Sequence, residues 1–363
     1  MAVPLRQMLR LASYLVRNRL AGRERFPLVL ELEPLFACNL ACAGCGKIQH
    51  PPEILRRRMS VEQAVAAAEE CGAPVVSIAG GEPLIHPEIH LIVRELVRRR
   101  RYVYLCTNAL LMRRELDLFE PSPYFAWAVH IDGLRERHDA SVCREGVFDV
   151  AVDAIREAKR RGFRVTTNST FFTHDTPDGV RAVLDFLNDE LGVDEMMISP
   201  AYAYWKAPDQ DHFLGVEETR RLFRAVFADG GRRRWRLNHT PLFLDFLEGK
   251  ADLECTPWGI PCYSIFGWQR PCYLQADGYA ASYRELVEET DWSRYGRRSG
   301  NPRCRNCMAH CGYEPTAVLA TARSPREGLR ALVGVLGARR RRRTQGGVAP
   351  RPPAGTSAMA ERS

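Results

Sequence analysis

Six short apolar, β-branched runs, interleaved with helical patterns, occupy residues 28–229, and this alternation constrains the fold more than any other feature. The runs are 28–33 (LVLELE), 74–79 (PVVSIA), 102–106 (YVYLC), 126–132 (AWAVHID), 163–170 (FRVTTNST) and 194–199 (DEMMIS). Helical periodicity marks 60–71, with Ser60 as N-cap, then 87–100, 110–118, 147–161, 177–191 and 216–229. Connections this long join parallel strands, because antiparallel neighbours need only a hairpin. Six such units predict an α/β fold, an open or partial (β/α)6 barrel, with its chemistry at the carboxyl ends of the strands.

After residue 235 the pattern changes. A helix near 241–249 precedes a Trp-, Tyr- and Cys-rich stretch over 255–314, where Pro257, Gly259, Pro261 and Gly267 disfavour long regular elements. Four segments follow as expectations: a basic amphipathic segment at 1–25, the partial barrel at 26–235, a Cys-rich accessory region at 236–318, and a basic amphipathic segment with a disordered tail at 319–363. The net charge of +8 sits in the two ends. Residues 1–25 hold six Arg against one Glu, and 319–363 hold ten Arg against two Glu, which leaves the body at −5. An Arg run invites a nucleic-acid reading, but no reader motif accompanies it, so no nucleic-acid partner is expected. On a helical wheel Arg6, Arg10 and Arg17 gather on one side, opposite Leu5, Met8, Leu9, Ala12, Leu15 and Val16. Residues 325–336 with the Arg run behind them form a second such stretch. Both suit the surface of an anionic membrane, and packing on the barrel is the competing reading. Arg residues interrupt every apolar run near the N-terminus, and no stretch reaches 18 apolar residues, so neither a secretory signal nor a spanning helix is expected. The expected location is the cytoplasm, with peripheral contact at the inner face of the cell membrane.

Twelve cysteines in such a chain point to metal or redox chemistry rather than disulfides. Cys38, Cys42 and Cys45 form C-x3-C-x2-C directly after the first strand. Three thiolates on one loop can hold three irons of a cubane cluster and leave the fourth iron open. Zinc with a distant fourth ligand is the alternative. Gly80, Gly81, Glu82 and Pro83 end the second strand, where glycines let the backbone approach a ligand closely. A dense distal set, Cys304, Cys307 and Cys311, together with Cys272 or Cys255, suits zinc or a second iron–sulfur cluster. Cys106 closes the third strand, where its thiol can reach the barrel mouth; ordinary core packing is the competing reading.

The Cys triplet and the GGEP run together resemble radical S-adenosylmethionine (SAM) enzymes, in which the open iron of a [4Fe-4S] cluster binds SAM. That resemblance implies that Cys38, Cys42 and Cys45 hold the cluster. It also implies that Gly80, Gly81, Glu82, Asn108, His130, Asp132, Asn168 and Ser199, at successive strand ends, bind SAM; His130 as a hydrogen-bonded core histidine and Asp132-Gly133 as a simple turn stay open. The segments EPLFACNLACAGCGKIQ (33–49), VSIAGGEPLIHPEI (76–89), YLCTNALL (104–111), KAPDQDHFLG (206–215), CTPWG (255–259) and CGYEPTAV (311–318) are similar to the adenosylhopane-forming family of bacterial hopanoid biosynthesis. The Arg-rich tail and Cys262 depart from that pattern. This similarity implies addition of a 5′-deoxyadenosyl radical to the alkene of diploptene, then reduction of the resulting tertiary carbon radical. The turnover needs two electrons, from a donor such as a ferredoxin or flavodoxin, and a hydrogen-atom donor, for which Cys106 is the candidate. Tyr102 and Tyr104 are weaker candidates. The peptide-modifying members, which abstract hydrogen, are the alternative; their Cys-rich extensions suggest metal at Cys272, Cys304, Cys307 and Cys311. An apolar substrate calls for an aromatic pocket, and AYAYW (201–205), Phe171, Phe172, Phe213, Trp258, Phe266 and Trp268 are candidates as a class.

Overall fold

A computed structural model describes residues 3–204 and 206–333. The six expected strands form, as β1 (Val29–Glu33), β2 (Val75–Ile78), β3 (Tyr102–Thr107), β4 (Phe125–His130), β5 (Arg164–Phe171) and β6 (Glu195–Pro200). They pair in parallel in chain order. The helices between them bury apolar faces on one side of the sheet. Leu30, Leu32, Val76, Ile78, Val103, Leu105, Trp127 and Val165 meet Ile92, Leu96, Ile155 and Val183 there in one core. The helix Val61–Cys71 begins as Ser60 predicts. Ser60 Oγ accepts from the Gln63 N–H at 3.2 Å, and the Gln63 side chain accepts from the Ser60 N–H at 2.9 Å, a reciprocal cap.

The alternate residues point the other way, into a lumen lined by Glu31, Glu33, Ser77, Tyr102, Tyr104, Cys106, Arg164 and Glu195. Strands three apart in a flat sheet stand about 14 Å from each other. Yet Tyr104 Oη on β3 donates to Glu195 on β6 at 3.4 Å, so the sheet curls into a partial barrel. Arg164 pairs with the same Glu195 at 2.5 Å, and Asn238 donates to it at 2.8 Å.

The helix Leu5–Leu20 plugs the strand N-terminal end of this lumen. Gln7 accepts from Tyr104 Oη at 3.1 Å, Tyr14 Oη donates to the Pro27 carbonyl at 2.8 Å, and Arg6 lies over the Tyr124 ring. Leu11, Tyr14 and Leu15 pack on Phe26 and Leu28. The N-terminal segment is therefore a packed barrel helix, while Leu9 and Val16 on its outer face remain 63% and 56% exposed.

The stretch after residue 255 corrects the expectation of irregular structure. Strands β7 (Cys262–Ser264), β8 (Gly267–Cys272) and β9 (Gln275–Ala280) extend the sheet beyond β1, giving the order β6-β5-β4-β3-β2-β1-β7-β8-β9. β7 runs parallel to β1, and β7–β8–β9 form an antiparallel meander. A 14-residue helix, His310–Arg323, carries Cys311, the last of the distal cysteines, in its first turn. Of the expected segment and tail at 319–363, residues 334–363 lie outside the described residues. Among the described residues no helix is long and apolar enough to cross a membrane.

Candidate active site

β1 delivers the chain into the loop that carries Cys38, Cys42 and Cys45, at the carboxyl end of the barrel. The GGEP turn abuts the start of that loop. The Gly81 N–H donates to the Leu35 carbonyl at 3.0 Å and the Glu82 N–H to the Ala37 carbonyl at 2.9 Å. A Cβ at Gly80 would lie 2.3 Å from the Leu35 oxygen, so only glycine lets these two backbones touch. Glu82 is 1% exposed and braces the turn. Its carboxylate accepts from Thr107 Oγ1 at 2.9 Å, the Asn108 N–H at 2.8 Å and the Leu84 N–H at 3.0 Å. Burial pushes its pKa up to about 7 against these three donors. Both Glu82 oxygens thus face protein groups, and the Gly80–Gly81 backbone is the part of the motif laid along the Cys loop.

The three thiols sit near one another on partly buried sites, and burial raises the pKa of all three, Cys38 to about 11. Such thiols become thiolates when a cation supplies the compensating charge. Asn108 Nδ2 donates to Asn39 Oδ1 at 2.7 Å and lies 3.9 Å from Cys38 Sγ, tying β3 to the loop. Around the mouth, His130 Nε2 meets Asp132 Oδ2 at 2.9 Å. Asp132, 4% exposed, also accepts from Ser141 Oγ at 2.9 Å and the Thr170 N–H at 2.8 Å. Burial works against both charges, yet their mutual attraction prevails, raising His130 and lowering Asp132. Asn168 sits beside His130 across the β4–β5 register, with its Oδ1 buried and without a hydrogen-bond partner. Ser199 on β6 is 7% exposed, and its hydroxyl donates to the neighbouring Pro200 carbonyl at 3.2 Å. A glycine cradle, a loop of three thiols and an orphaned carbonyl oxygen at Asn168 fit an iron–sulfur cluster with a SAM molecule chelated to it.

Cys106 points into the lumen two residues before Asn108. Its thiol is half-buried, 3.8 Å from Ser77 Oγ on β2, and burial pushes it up to about 12. Tyr102 and Tyr104 lie deeper on the same strand.

Sequence reasoning missed a buried ion pair over the lumen. Lys47 Nζ lies 2.5 Å from Glu33 Oε1, with side-chain exposures of 5% and 0%. The rings of Tyr273, Tyr204 and Phe36 surround the ammonium at 4.3, 5.3 and 5.5 Å. Two acids at alternate positions of an otherwise apolar strand, Glu31 and Glu33, were the available signal for a polar lumen. Of the aromatic candidates, Phe172 and Tyr204 press on the loop glycines Gly44 and Gly46, and Phe266 neighbours Phe36. Phe171 and Trp268 are fully buried core residues. Trp205 lies outside the described residues.

The distal cysteines gather beneath β7–β9. Cys255, Cys272, Cys304, Cys307 and Cys311 stand close enough that each of Cys255, Cys272, Cys307 and Cys311 is raised by neighbours in the set, after burial itself. Gln275 Nε2 lies 3.2 Å from Cys304 Sγ. Gly312 leaves room for Cys255, whose sulfur is 2.7 Å from where a Cβ would stand. Among the described residues no three side chains, here or at Cys38, Cys42 and Cys45, close on a single point as ligands of one metal ion do.

Residues 32–187 match the family model described as the radical SAM superfamily, and residues 196–331 match a domain of unknown function (DUF3463). The Fe-coproporphyrin III synthase of Methanosarcina barkeri is 29% identical over 161 residues, which cover 42% of this chain and 39% of that protein. The antilisterial bacteriocin subtilosin biosynthesis protein AlbA of Bacillus subtilis is 28% identical over 192 residues, covering 48% and 42%. The chain thus spans about two fifths of the length of these curated relatives. Among solved structures, Streptococcus suis SuiB superposes with a TM-score of 0.61 at 16% identity, over 85% of this chain and 77% of that one. Native anSMEcpe with bound AdoMet and the Cp18Cys peptide gives 0.54 at 16% identity, over 85% and 99%. These two likenesses concern the fold.

Proposed function

We propose, for a chain that belongs to the radical SAM superfamily through residues 32–187, that it is an adenosylhopane synthase. The bound cluster and SAM would supply a 5′-deoxyadenosyl radical that adds to the terminal alkene of diploptene, leaving a tertiary carbon radical. In this reading Cys38, Cys42 and Cys45 hold the cluster, and Asn108 fixes the Cys38 side of the loop. The Gly80–Gly81 backbone takes the SAM ammonium, while Asn168, Ser199 and the His130–Asp132 pair contact its remaining polar groups. Cys106 hands a hydrogen atom to the carbon radical. The observation that carries the proposal is the Cys106 thiol, inside the lumen and next to the Asn108 that grips the cluster loop. An enzyme that keeps its adenosyl group in the product leaves a carbon radical that must take up a hydrogen atom, and a thiol in the lumen is such a donor. Phe172, Tyr204 and Phe266 at the mouth supply the apolar contact a hydrocarbon requires.

The deciding experiment is anaerobic incubation with diploptene, SAM and a reductant, followed by mass analysis. Adenosyl carbon in a saturated lipid product supports the proposal. Free 5′-deoxyadenosine as the main product favours the peptide- or small-molecule-modifying alternative. Cys106→Ala is expected to abolish the saturated product, and wild-type quenching in that variant would remove the donor role.

Cys272, Cys304, Cys307 and Cys311 are the ligands of the proposed second metal site, with Cys255 the alternative to Cys272. About eight irons per anaerobically purified chain supports a second four-iron cluster, whereas about four excludes it. A ferredoxin or flavodoxin is the proposed electron donor. Membrane contact, proposed for the exposed faces at the two ends, rests on Leu9, Val16 and Leu20 at one end and Leu329, Leu332 and Val333 at the other, all between 44% and 84% exposed.

A further inference from the structure

We propose that Glu31, acting through the Ser77 hydroxyl, returns to Cys106 the proton of each hydrogen atom the thiol gives away. The inference rests on the donor reading of Cys106 and extends it to what must happen before a second turnover.

The strand register brings the three side chains together. Glu31 and Ser77 are direct partners across β1 and β2, and Ser77 pairs with Tyr104, two residues before Cys106 on β3. All three face the lumen. The Ser77 hydroxyl hydrogen-bonds the Glu31 carboxyl on one side and lies 3.8 Å from Cys106 Sγ on the other. A hydroxyl both donates and accepts, so it can pass a proton along such a row. The neighbouring Glu33 has its own cation in Lys47. At Glu31 burial and the Glu33 charge outweigh the pull of Ser77 and Lys47, so its carboxyl stays protonated.

The chemistry balances in three steps. The tertiary carbon radical takes a hydrogen atom from the thiol, forming the C–H bond and breaking S–H, and a thiyl radical remains. One electron from the external low-potential donor, a ferredoxin- or flavodoxin-type protein, reduces the thiyl to a thiolate. The Glu31 carboxylic acid then gives its proton through Ser77 to the thiolate and refills from solvent once product leaves. The direction of transfer is favourable. Burial, with Glu33 adding to it, pushes Glu31 up to about 8, while burial pushes Cys106, the weaker acid, up to about 12, so the proton prefers sulfur. The groups that face this acid are Glu33 on its own strand, Lys47 above it, Cys106 on β3, and Cys262, Tyr273 and Cys311 from the accessory side.

Two measurements test the relay. In anaerobic turnover of diploptene, E31Q, which keeps the shape of the protonated acid, is expected to form about one product per chain and then slow at least tenfold. S77A should give the same burst and stall, and E31D should recover part of the later rate. A merely structural role would depress the first turnover as well. A steady rate for E31Q and S77A within twofold of wild type overturns the relay. The donor reading fails separately, through a saturated product from Cys106→Ala. The second measurement needs no substrate. Infrared difference spectra of the protein alone should show a protonated carboxyl band at neutral pH that is lost in E31Q and titrates near pH 8. A Cys106 S–H stretch that shifts in S77A should accompany it. Absence of that carboxyl band at neutral pH overturns the proposal whatever the turnover result.

Discussion

A methyl group at position 81 would collide with the backbone at the start of the loop that carries Cys38, Cys42 and Cys45, 2.0 Å from the Ala37 oxygen and 2.5 Å from that of Phe36. Both obstacles are main chain, so neither can swing aside. Gly81→Ala should therefore destabilise the protein by about 1–3 kcal/mol and lower its iron content, read by thermal melting and iron analysis of the purified variant. An unchanged melting point would mean the loop yields more easily than its hydrogen bonds to Gly81 and Glu82 suggest. The His130–Asp132 pair makes a pH prediction at the same scale. The lowered Asp132 contributes stability above its unfolded range near 4, lost as pH falls through the folded value. The raised His130 contributes stability present below about 6.5 and lost as pH rises through its folded value. The pair thus stabilises most between those limits, and Asp132→Asn should flatten the urea-unfolding profile across that window. The C-x3-C-x2-C spacing and the GGEP run were legible because each is a pattern contained within a few consecutive residues. The cage around Lys47 was not, because Glu33, Tyr204 and Tyr273 meet only after packing.

At the level of elements, the helix Leu5–Leu20 acts as the floor of the lumen. Leu15 is 5% exposed against Phe26 and Leu28, so Leu15→Ala should cost about 2–4 kcal/mol in urea unfolding. A loss below 0.5 kcal/mol would show that the helix docks weakly. β1 to β6 and their helices could be read from sequence because strand and helix periodicities are local signals. The β7–β9 meander could not. Its strands are three, six and six residues long, interrupted by Gly267 and Pro271, and its pairing partner β1 lies more than two hundred residues upstream. The apolar wheel of the N-terminal helix did not mark the side that packs, since of its residues only Leu15 is buried. Buried Gln7 and Asn18 flank Leu15 on the docked side, while Leu9 and Val16 face out.

For the whole molecule, six of the ten large exposed apolar side chains among the described residues lie at the two ends of the chain, which also carry its positive charge. Replacing Leu9, Val16 and Leu20 by Ser should at least halve flotation with anionic liposomes, and added salt should weaken what remains. Equal flotation of full-length and tail-deleted protein would remove the tail from the surface. The parallel pairing of β1 with β7 also sets a timetable. The strand that leads into the cluster loop acquires its second neighbour only when residues 262–264 have been made, 231 positions after Glu31. At about 5–20 residues per second, that is roughly 12–46 s of synthesis with one edge of β1 unpaired. A nascent chain halted before residue 262 would present that bare edge to its neighbours, and a cluster inserted before then would sit on a half-built wall.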